Sequence, residues 1–184
     1  MKKIASAMLC ILMIIMFAAC GSDSGSGSGG NGGAGYPEYE EQGELFTFST
    51  ETFEGEPFTS EDVKDAKLVM INLWEPWCGP CVGEMPDLEK IYEEYKDDGL
   101  VILGVFSDTT MDDDAAKILE EAGITYPVLR ASEEFAGFQI GYVPTTVFLT
   151  GEGKLMSQYP VIGSQSYDSW SSAVKGLLEV IGNE

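Results

Sequence analysis

The sequence predicts an α/β domain built on a central mixed β-sheet with helices on both of its faces. Two apolar segments of strand length, residues 67–74 and 100–106, are each followed by a segment with helical periodicity. Near-continuous apolar runs are typical of strands buried on both faces, and alternating strands and helices are typical of α/β domains. Residues 145–159 then predict an antiparallel hairpin, which makes the expected sheet mixed.

The composition limits the possible function classes. The 184 residues include 31 Asp and Glu but only 10 Lys and Arg, for a formal net charge of -21. An excess of negative charge repels nucleic-acid phosphates and anionic lipid headgroups. We therefore expect no nucleic-acid partner, and we expect protein partners that are neutral or basic where they dock.

The first residues predict an export signal. Two lysines open it, an apolar run spans residues 4–17, and small residues precede Cys20. This pattern resembles the bacterial lipoprotein signal, in which the cysteine is lipidated and becomes the new N-terminus. The resemblance implies a signal peptide over residues 1–19 and a lipid anchor on Cys20, at the extracytoplasmic face of the bacterial cell membrane. An ordinary signal peptide and an uncleaved membrane helix are the alternatives, although the run is short for a full span.

A tether and one domain follow the signal. Residues 20–43 are rich in glycine and serine, a composition that buries no apolar area and behaves as a flexible linker. Residues 44–184 suffice for a single domain with a hydrophobic core. In that domain Cys78 and Cys81 are the only cysteines.

The domain is expected to begin with short elements. Residues 45–48 and 53–58 predict a β-hairpin or two short edge strands, because aromatic runs are separated by polar turn residues. Residues 59–62 carry a helix-start or turn signal. Residues 67–74 then form the strand expected at the centre of the sheet.

The clearest element is a helix that begins at the segment Cys78-Gly79-Pro80-Cys81. Spacings of three and four residues define one buried stripe on it. The stripe consists of Cys81, Met85, Leu88, Tyr92 and Tyr95. Pro80 suits the first turn, Pro86 is expected to kink the helix, and Gly99 is expected to end it.

The remaining elements are bounded by turn residues or by a terminating glycine. They are a strand over residues 100–106, a helix over 112–121 that stops at Gly123, a short strand over 126–129, one or two helical turns over 133–139, hairpin strands over 145–150 and 154–159, and an amphipathic helix from Tyr167 to Gly182.

Two cysteines separated by two residues at a strand-to-helix junction predict a redox site. Cys78 is expected to be exposed at the helix N-terminus, where unpaired N–H groups favour a thiolate, and Cys81, one turn inside, is expected to be the more buried of the two. A zinc site is an alternative, but it needs two more ligands. The sequence has no histidine, and its other cysteines, Cys10 and Cys20, lie in the N-terminal apolar segment. We expect a redox-active disulfide without metal or cofactor; an inert structural pair is the remaining alternative.

Four motifs place this pair in a wider pattern. They are Asn72-Leu73-Trp74 leading to Trp77-Cys78-Gly79-Pro80-Cys81, then Glu84-Met85-Pro86, then Val143-Pro144-Thr145-Thr146, and the turn Gly151-Glu152-Gly153-Lys154. They resemble the thioredoxin superfamily and, within it, the membrane-tethered TlpA/ResA-like thiol-disulfide oxidoreductases. The resemblance covers the chain from about residue 44 onward and implies a thioredoxin-like fold. A strand and a helix between residues 106 and 144 are additional to the elements that plain thioredoxin has in this segment, which is how the TlpA-like branch differs.

The resemblance implies roles for residues around the pair. In the family the proline matching Pro144 is cis, and its loop faces the cysteines. Backbone groups of Val143 are then expected to pair with an extended substrate strand. Trp77 is expected to form an apolar rim for the docking client, with Gly79 and Pro80 beside it. An ordinary turn before a strand is the alternative for Pro144.

Cys81 needs a base when it resolves a mixed disulfide, and Glu84 is the candidate. Plain thioredoxins keep a buried Asp at the position of Asn72, whose amide accepts no proton. Glu84 lies three residues after Cys81, so both side chains share one helix face. A matching glutamate lines the active-site cavity of ResA-like proteins. We expect Glu84 to handle the proton, with a raised pKa if it is buried; a solvated helix carboxylate is the alternative.

Negative residues surround the pair in sequence. Glu75, Glu84 and Asp87 are close to it, and no Lys or Arg lies between Lys67 and Lys90. Negative neighbours disfavour a thiolate and oppose the effect of the helix N-terminus. Weaker stabilisation of the reduced form lowers the reduction potential, so we expect a reductant.

Sequence and resemblance together predict an extracytoplasmic, membrane-tethered oxidoreductase that reduces disulfides of client proteins. Family roles imply apocytochrome c or a methionine sulfoxide reductase as clients, and a membrane dithiol carrier as electron donor. We expect a monomer. One alternative is a thiol peroxidase-like relative, against which the paired cysteines argue. Another is a metallochaperone or redox-inactive binding lipoprotein, although a copper carrier of this fold would need a distant histidine.

Overall fold

The computed structural model of the protein describes residues 45–156 and 160–182. The predicted signal peptide, the lipidated Cys20 and the tether lie outside the described residues. Within the described ranges, no helix combines the length and the apolar character needed to cross a bilayer.

A five-stranded mixed sheet forms the centre of the domain. Its strands lie in the order β5-β4-β3-β6-β7, and β1 and β2 form a separate antiparallel pair. β3 pairs in parallel with β4 and antiparallel with β6. The strands are β1 (Ser49–Glu51), β2 (Pro57–Thr59), β3 (Leu68–Leu73), β4 (Leu100–Phe106), β5 (Val128–Arg130), β6 (Thr145–Leu149) and β7 (Val161–Ile162). The predicted central strand and mixed sheet are confirmed.

In the part of the chain that the structure describes, three α-helices and several short 3-10 helices cover the sheet. The α-helices are α1 (Gly79–Tyr95), α2 (Asp112–Ala122) and α3 (Tyr167–Ile181). The 3-10 helices are Ser60–Val63, Lys96–Asp98, Thr109–Met111 and Glu133–Phe138. α2 and β5 are the helix and the strand that were expected in addition to the elements of plain thioredoxin.

The two faces of the sheet carry separate cores. Leu68 of β3 belongs to the cluster that includes Leu88 of α1 and Trp170 of α3. Ile71 belongs to a second cluster with Phe135, on the opposite face. Burying a large apolar side chain contributes roughly 1.5–3 kcal/mol, so both clusters stabilise the sheet. Helices thus pack on both faces: the α-helices on one, and 3-10 helices on the other.

The N-terminal hairpin is displaced from its predicted position. Strands were expected over residues 45–48 and 53–58, whereas β1 and β2 begin later. Phe46 and Phe48 instead pack their rings against Phe135. Burial in the core therefore replaces strand pairing for this segment.

The second predicted hairpin is only partly correct. Its turn forms, since the Thr150 N–H donates to the carbonyl of Lys154 at 2.8 Å. Leu155 makes a single bridge to Leu149, but the regular partner of β6 is β7. The N–H of Met156 also donates to the carbonyl of Phe148 at 2.8 Å, and residues 157–159 of the predicted strand lie outside the described residues.

Candidate active site

Cys78 is held at the junction of β3 and α1. It is the N-cap residue of α1, and its N–H donates to the carbonyl of Glu75 at 3.0 Å. Its Sγ in turn accepts a hydrogen bond from the N–H of Cys81 at 3.2 Å. An N–H aimed at the sulfur from the helix N-terminus favours the thiolate form. The predicted placement of Cys78 at the helix N-terminus is confirmed.

Cys78 and Cys81 are joined in a disulfide. Their sulfur atoms lie 2.07 Å apart and their Cα atoms 5.2 Å apart. Cys78 keeps 5% of its surface exposed, and Cys81 keeps 1%. The expectation of an exposed Cys78 is wrong for this oxidised state, because its sulfur is bonded to Cys81 and covered by the loop before β6. Cys81 is the more buried of the two cysteines, as expected.

The covering loop contains the cis peptide bond that the resemblance implied. The bond between Val143 and Pro144 is cis. The carbonyl oxygen of Val143 lies 3.6 Å from the Sγ of Cys78. β6 begins directly after Pro144 and pairs antiparallel with β3, with Thr145 opposite Leu73. This pairing brings the loop to the disulfide, 65 residues along the chain from Cys78.

Two exposed aromatic residues lie beside the disulfide. Trp77 is 62% exposed, and Tyr142 is 65% exposed. Gly79 and Pro80, in the first turn of α1, are exposed as well. Tyr142 was not singled out from sequence, because its position next to Val143 becomes meaningful only when the loop is placed against Cys78. By contrast, Trp74 is 1% exposed and belongs to the core.

Glu84 is buried in a polar network between three elements. Its residue surface is 3% exposed. Asn72 Nδ2 donates to Oε1 at 3.1 Å, while the Gln165 N–H and Trp170 Nε1 donate to Oε2 at 3.0 and 3.3 Å. Asn72 also donates to Thr146 Oγ1 at 3.0 Å. The alternative of a solvated helix carboxylate is therefore wrong.

The surroundings of Glu84 act on its pKa in opposite directions. Burial raises the pKa, and hydrogen bonds from Gln165, Asn72 and Trp170 oppose that rise because they favour the carboxylate. Each carboxylate oxygen has about two acceptor positions. Oε2 uses both, and Oε1 keeps one that these three donors leave open. Oε1 is thus the oxygen on which the network can hold a proton without losing a hydrogen bond.

The raised pKa of Glu84 predicts a measurable pH dependence of stability. In the unfolded chain a glutamate has a pKa of about 4.3, so between that value and the raised folded pKa the folded state binds the extra proton. The stability from this proton is fully present below the unfolded pKa and is lost as the pH rises through the folded pKa. We expect the melting temperature of the wild type, relative to Glu84→Gln, to fall from about pH 4 towards neutrality. Circular dichroism melts measure this difference, and a constant difference across that range would contradict it.

The other two carboxylates near the pair have different partners. Glu75 is 7% exposed, and its carboxylate accepts from the N–H of Ser107 and of Asp108 at 3.0 and 3.2 Å. Asp87 accepts from Lys90 at 3.0 Å and from the Tyr167 N–H at 3.3 Å. Glu75 therefore connects the active-site segment to the loop after β4. Sequence reasoning missed this contact, since the partners lie more than thirty residues apart.

No metal-binding arrangement is found among residues 45–156 and 160–182. No group of three or more His, Cys, Asp or Glu side chains there could hold an ion. The site instead combines a disulfide at a helix N-terminus, a cis-proline loop and a buried carboxylate. This combination can undergo thiol–disulfide exchange, in which the oxidised pair reacts with thiols of a second molecule and the reduced pair reacts with its disulfide.

Comparison with known proteins agrees with this chemistry. The profile of the AhpC/TSA family matches residues 42–158. The thiol-disulfide oxidoreductase ResA of Bacillus thuringiensis is 29% identical over 133 residues, which cover 71% of this chain and 74% of that protein. The thiol:disulfide interchange protein HelX of Rhodobacter capsulatus is 34% identical over 126 residues, covering 66% of this chain and 67% of that protein.

A solved structure shows the same fold. The crystal structure of a thiol:disulfide interchange protein of the thioredoxin family from Chlorobium tepidum TLS superimposes with a TM-score of 0.64 and 26% sequence identity. The match covers 73% of this chain and 94% of that one.

Proposed function

This chain belongs to the AhpC/TSA family and is a thiol-disulfide oxidoreductase of the ResA type, and from that premise we propose that it reduces disulfides of client proteins outside the cytoplasm. The observation that carries the proposal is the Cys78–Cys81 disulfide at the start of α1, facing the carbonyl of Val143. That carbonyl is available to pair with the backbone of an extended client segment.

The proposed reaction starts from the reduced pair. The Cys78 thiolate attacks a client disulfide, a Cys78–client bond forms, and the second client sulfur leaves and takes up a proton. Cys81 then loses its proton and attacks Cys78, which releases the first client sulfur as a thiol. Two electrons and two protons pass to the client, and the protein is left with the disulfide seen here.

Glu84 takes the proton of Cys81 in this proposal. Its burial, and the raised pKa that the burial causes, suit a group that takes up and releases a proton during the reaction. Asn72 cannot serve, because an amide does not ionise; its role is to hold Glu84 through a hydrogen bond of 3.1 Å.

We place the reaction at the outer face of a bacterial cell membrane, with the chain anchored through Cys20. The lysines, apolar run and small residues before Cys20 support this location. A disulfide oxidoreductase from Mycobacterium tuberculosis with the same fold is described as secreted. Clients would be proteins such as apocytochrome c or a methionine sulfoxide reductase, the electron donor a membrane dithiol carrier, and the protein a monomer.

The reduction potential tests the direction of the reaction. Neither Glu75 nor Glu84 has an ion-pair partner among the described residues, so no ion pair offsets the negative charge of either carboxylate near the nucleophile. We expect equilibration with glutathione to give a potential nearer about -270 mV than about -120 mV, and we expect the protein to reduce insulin. A potential at the oxidising end would contradict a reductase. Peroxide turnover without a partner thiol protein, or copper binding without insulin reduction, would support the alternatives.

A further inference from the structure

A pocket lies beside the disulfide and is distinct from the cysteines themselves. Its volume is about 220 Å³, and its lining includes Trp77, Tyr142 and Val143. Pockets that enclose drug-sized ligands measure roughly 300–1,000 Å³, so this one fits a single side chain. Since Val143 also faces Cys78, a client bound to this loop would present a neighbouring side chain to the pocket.

The pocket offers two kinds of contact to that side chain. Trp77 and Tyr142 are exposed to 62% and 65%, and both contribute to its lining. Their rings can pack against an apolar stem and can attract a cation through their faces. Glu75, an acidic residue that is 7% exposed, also lines the pocket.

The charge of Glu75 is not balanced by a cation. Its Oε1 accepts from the N–H and the hydroxyl of Ser107, whereas its Oε2 accepts only from the N–H of Asp108 among these donors. Because a carboxylate oxygen has about two acceptor positions, Oε2 keeps one position that these donors leave open. Among the described residues that line the pocket there is neither lysine nor arginine. Arg130, at the end of β5, donates to both carboxylate oxygens of Asp112 at 2.5 and 2.9 Å, so its charge is paired with Asp112 and not with Glu75.

We propose that this pocket selects clients in which an arginine or lysine adjoins the attacked cysteine. The aliphatic stem of that residue lies between Trp77 and Tyr142, and its cationic head binds the carboxylate of Glu75. A guanidinium suits the site best, because it is planar, stacks on aromatic rings and forms charge-assisted hydrogen bonds with a carboxylate. The inference rests on the proposed reductase function, since it concerns the client of the same site.

The test uses the reduced protein and short peptides that carry one disulfide. The residue directly before or directly after the attacked cysteine is arginine, its neutral isostere citrulline, or glutamate. These peptides form two series, one for each position of the varied residue. In at least one series, we expect the second-order rate constant for exchange to be about tenfold higher with arginine than with citrulline, and lowest with glutamate. Raising the salt concentration should reduce the advantage of arginine.

Two variants assign the selectivity to the pocket. Glu75→Gln keeps an oxygen that can accept from Ser107 but loses the charge, so it should react equally fast with the arginine and citrulline peptides. Glu152→Gln removes the same charge from an exposed turn at the far end of β6, and it should keep the tenfold preference. Melting curves of both variants check that they fold.

The possible failures are distinguishable. Equal rates for all three peptides, or an arginine preference that survives Glu75→Gln, would overturn the pocket assignment and leave the reductase function intact. If Glu75→Gln slows exchange with the arginine and citrulline peptides equally, Glu75 has a merely structural role, and the pocket assignment is also overturned. Failure to reduce any of the peptides, and insulin as well, would instead overturn the proposed function.

Discussion

Replacing Cys81 with serine is expected to convert the protein from a catalyst into a trap for its clients. Cys78 can still attack a client disulfide, but no second sulfur is present to release the product. Well-oriented intramolecular groups reach effective molarities of about 10⁵ M or more. External thiols at millimolar concentration cannot replace such a group, so the mixed disulfide should live at least about a thousandfold longer. Insulin turnover should fall below detection.

The mixed disulfides are measured on nonreducing gels and by mass spectrometry after acid quenching. Cys78→Ser is the matched control, because it leaves Cys81 as the only sulfur of the pair, 1% exposed within the core. We expect no adduct from that variant. Adducts that form as readily with Cys78→Ser would reverse the assigned order of attack. In an extract, the proteins trapped by Cys81→Ser would also identify the clients.

Replacing Glu84 with glutamine is expected to slow the release step while sparing the first attack. A positioned base contributes typically about 10²–10⁴-fold, so resolution of the mixed disulfide should slow about a hundredfold at neutral pH. The amide is isosteric, and its oxygen can still accept from Gln165 and Trp170. The Asn72 amide can rotate to accept from the new NH₂ group. The fold is therefore expected to survive the change.

The pH profile separates proton handling from a structural effect. Burial raises the pKa of Glu84, so resolution by the wild type should accelerate as Glu84 loses its proton, with a midpoint above the ordinary carboxyl range. Glu84→Gln should lack this rise and should follow only the ionisation of the thiols. Single-turnover experiments with acid quenching measure both steps at each pH.

Asp87→Asn is the matched control for this experiment. Asp87 lies one turn further along α1 and also accepts from a backbone N–H of α3, that of Tyr167. Its side chain is 32% exposed and pairs with Lys90, so it stands outside the buried network. We expect resolution within about twofold of the wild type, as for ordinary surface substitutions. Equal slowing by both variants would show a general charge effect, and an unchanged rate in Glu84→Gln would remove Glu84 from the mechanism.

Features that depend on neighbouring residues were predictable. The complete burial of β3 follows from its unbroken apolar run, and the start of α1 follows from the motif around Pro80. Gly99 and Gly123 adopt positive φ angles where the sequence expected helices to stop. The order of strands and helices followed in turn, because periodicity within each segment reports the element directly.

Features that depend on residues far apart in the sequence were not predictable. The order of residues does not by itself show that Phe46 and Phe48 pack into the core instead of forming a strand, or that β7, after Pro160, is the regular strand partner of β6. Both outcomes depend on which surfaces compete for burial and which N–H groups are free to pair. Local propensity is a weak prior under such competition.

The sequence by itself determined the cysteine pair, its place at a helix N-terminus and the α/β architecture, because each depends on residues that lie close together in the chain. Only the tertiary structure decided the environment of that pair. Glu84 becomes a buried acid because Trp170 and Gln165 reach it from more than eighty residues away, and Tyr142 and Glu75 meet at one pocket because β6 pairs with β3. A side chain's burial and charge partners are properties of packed elements, and packing is set by the whole chain.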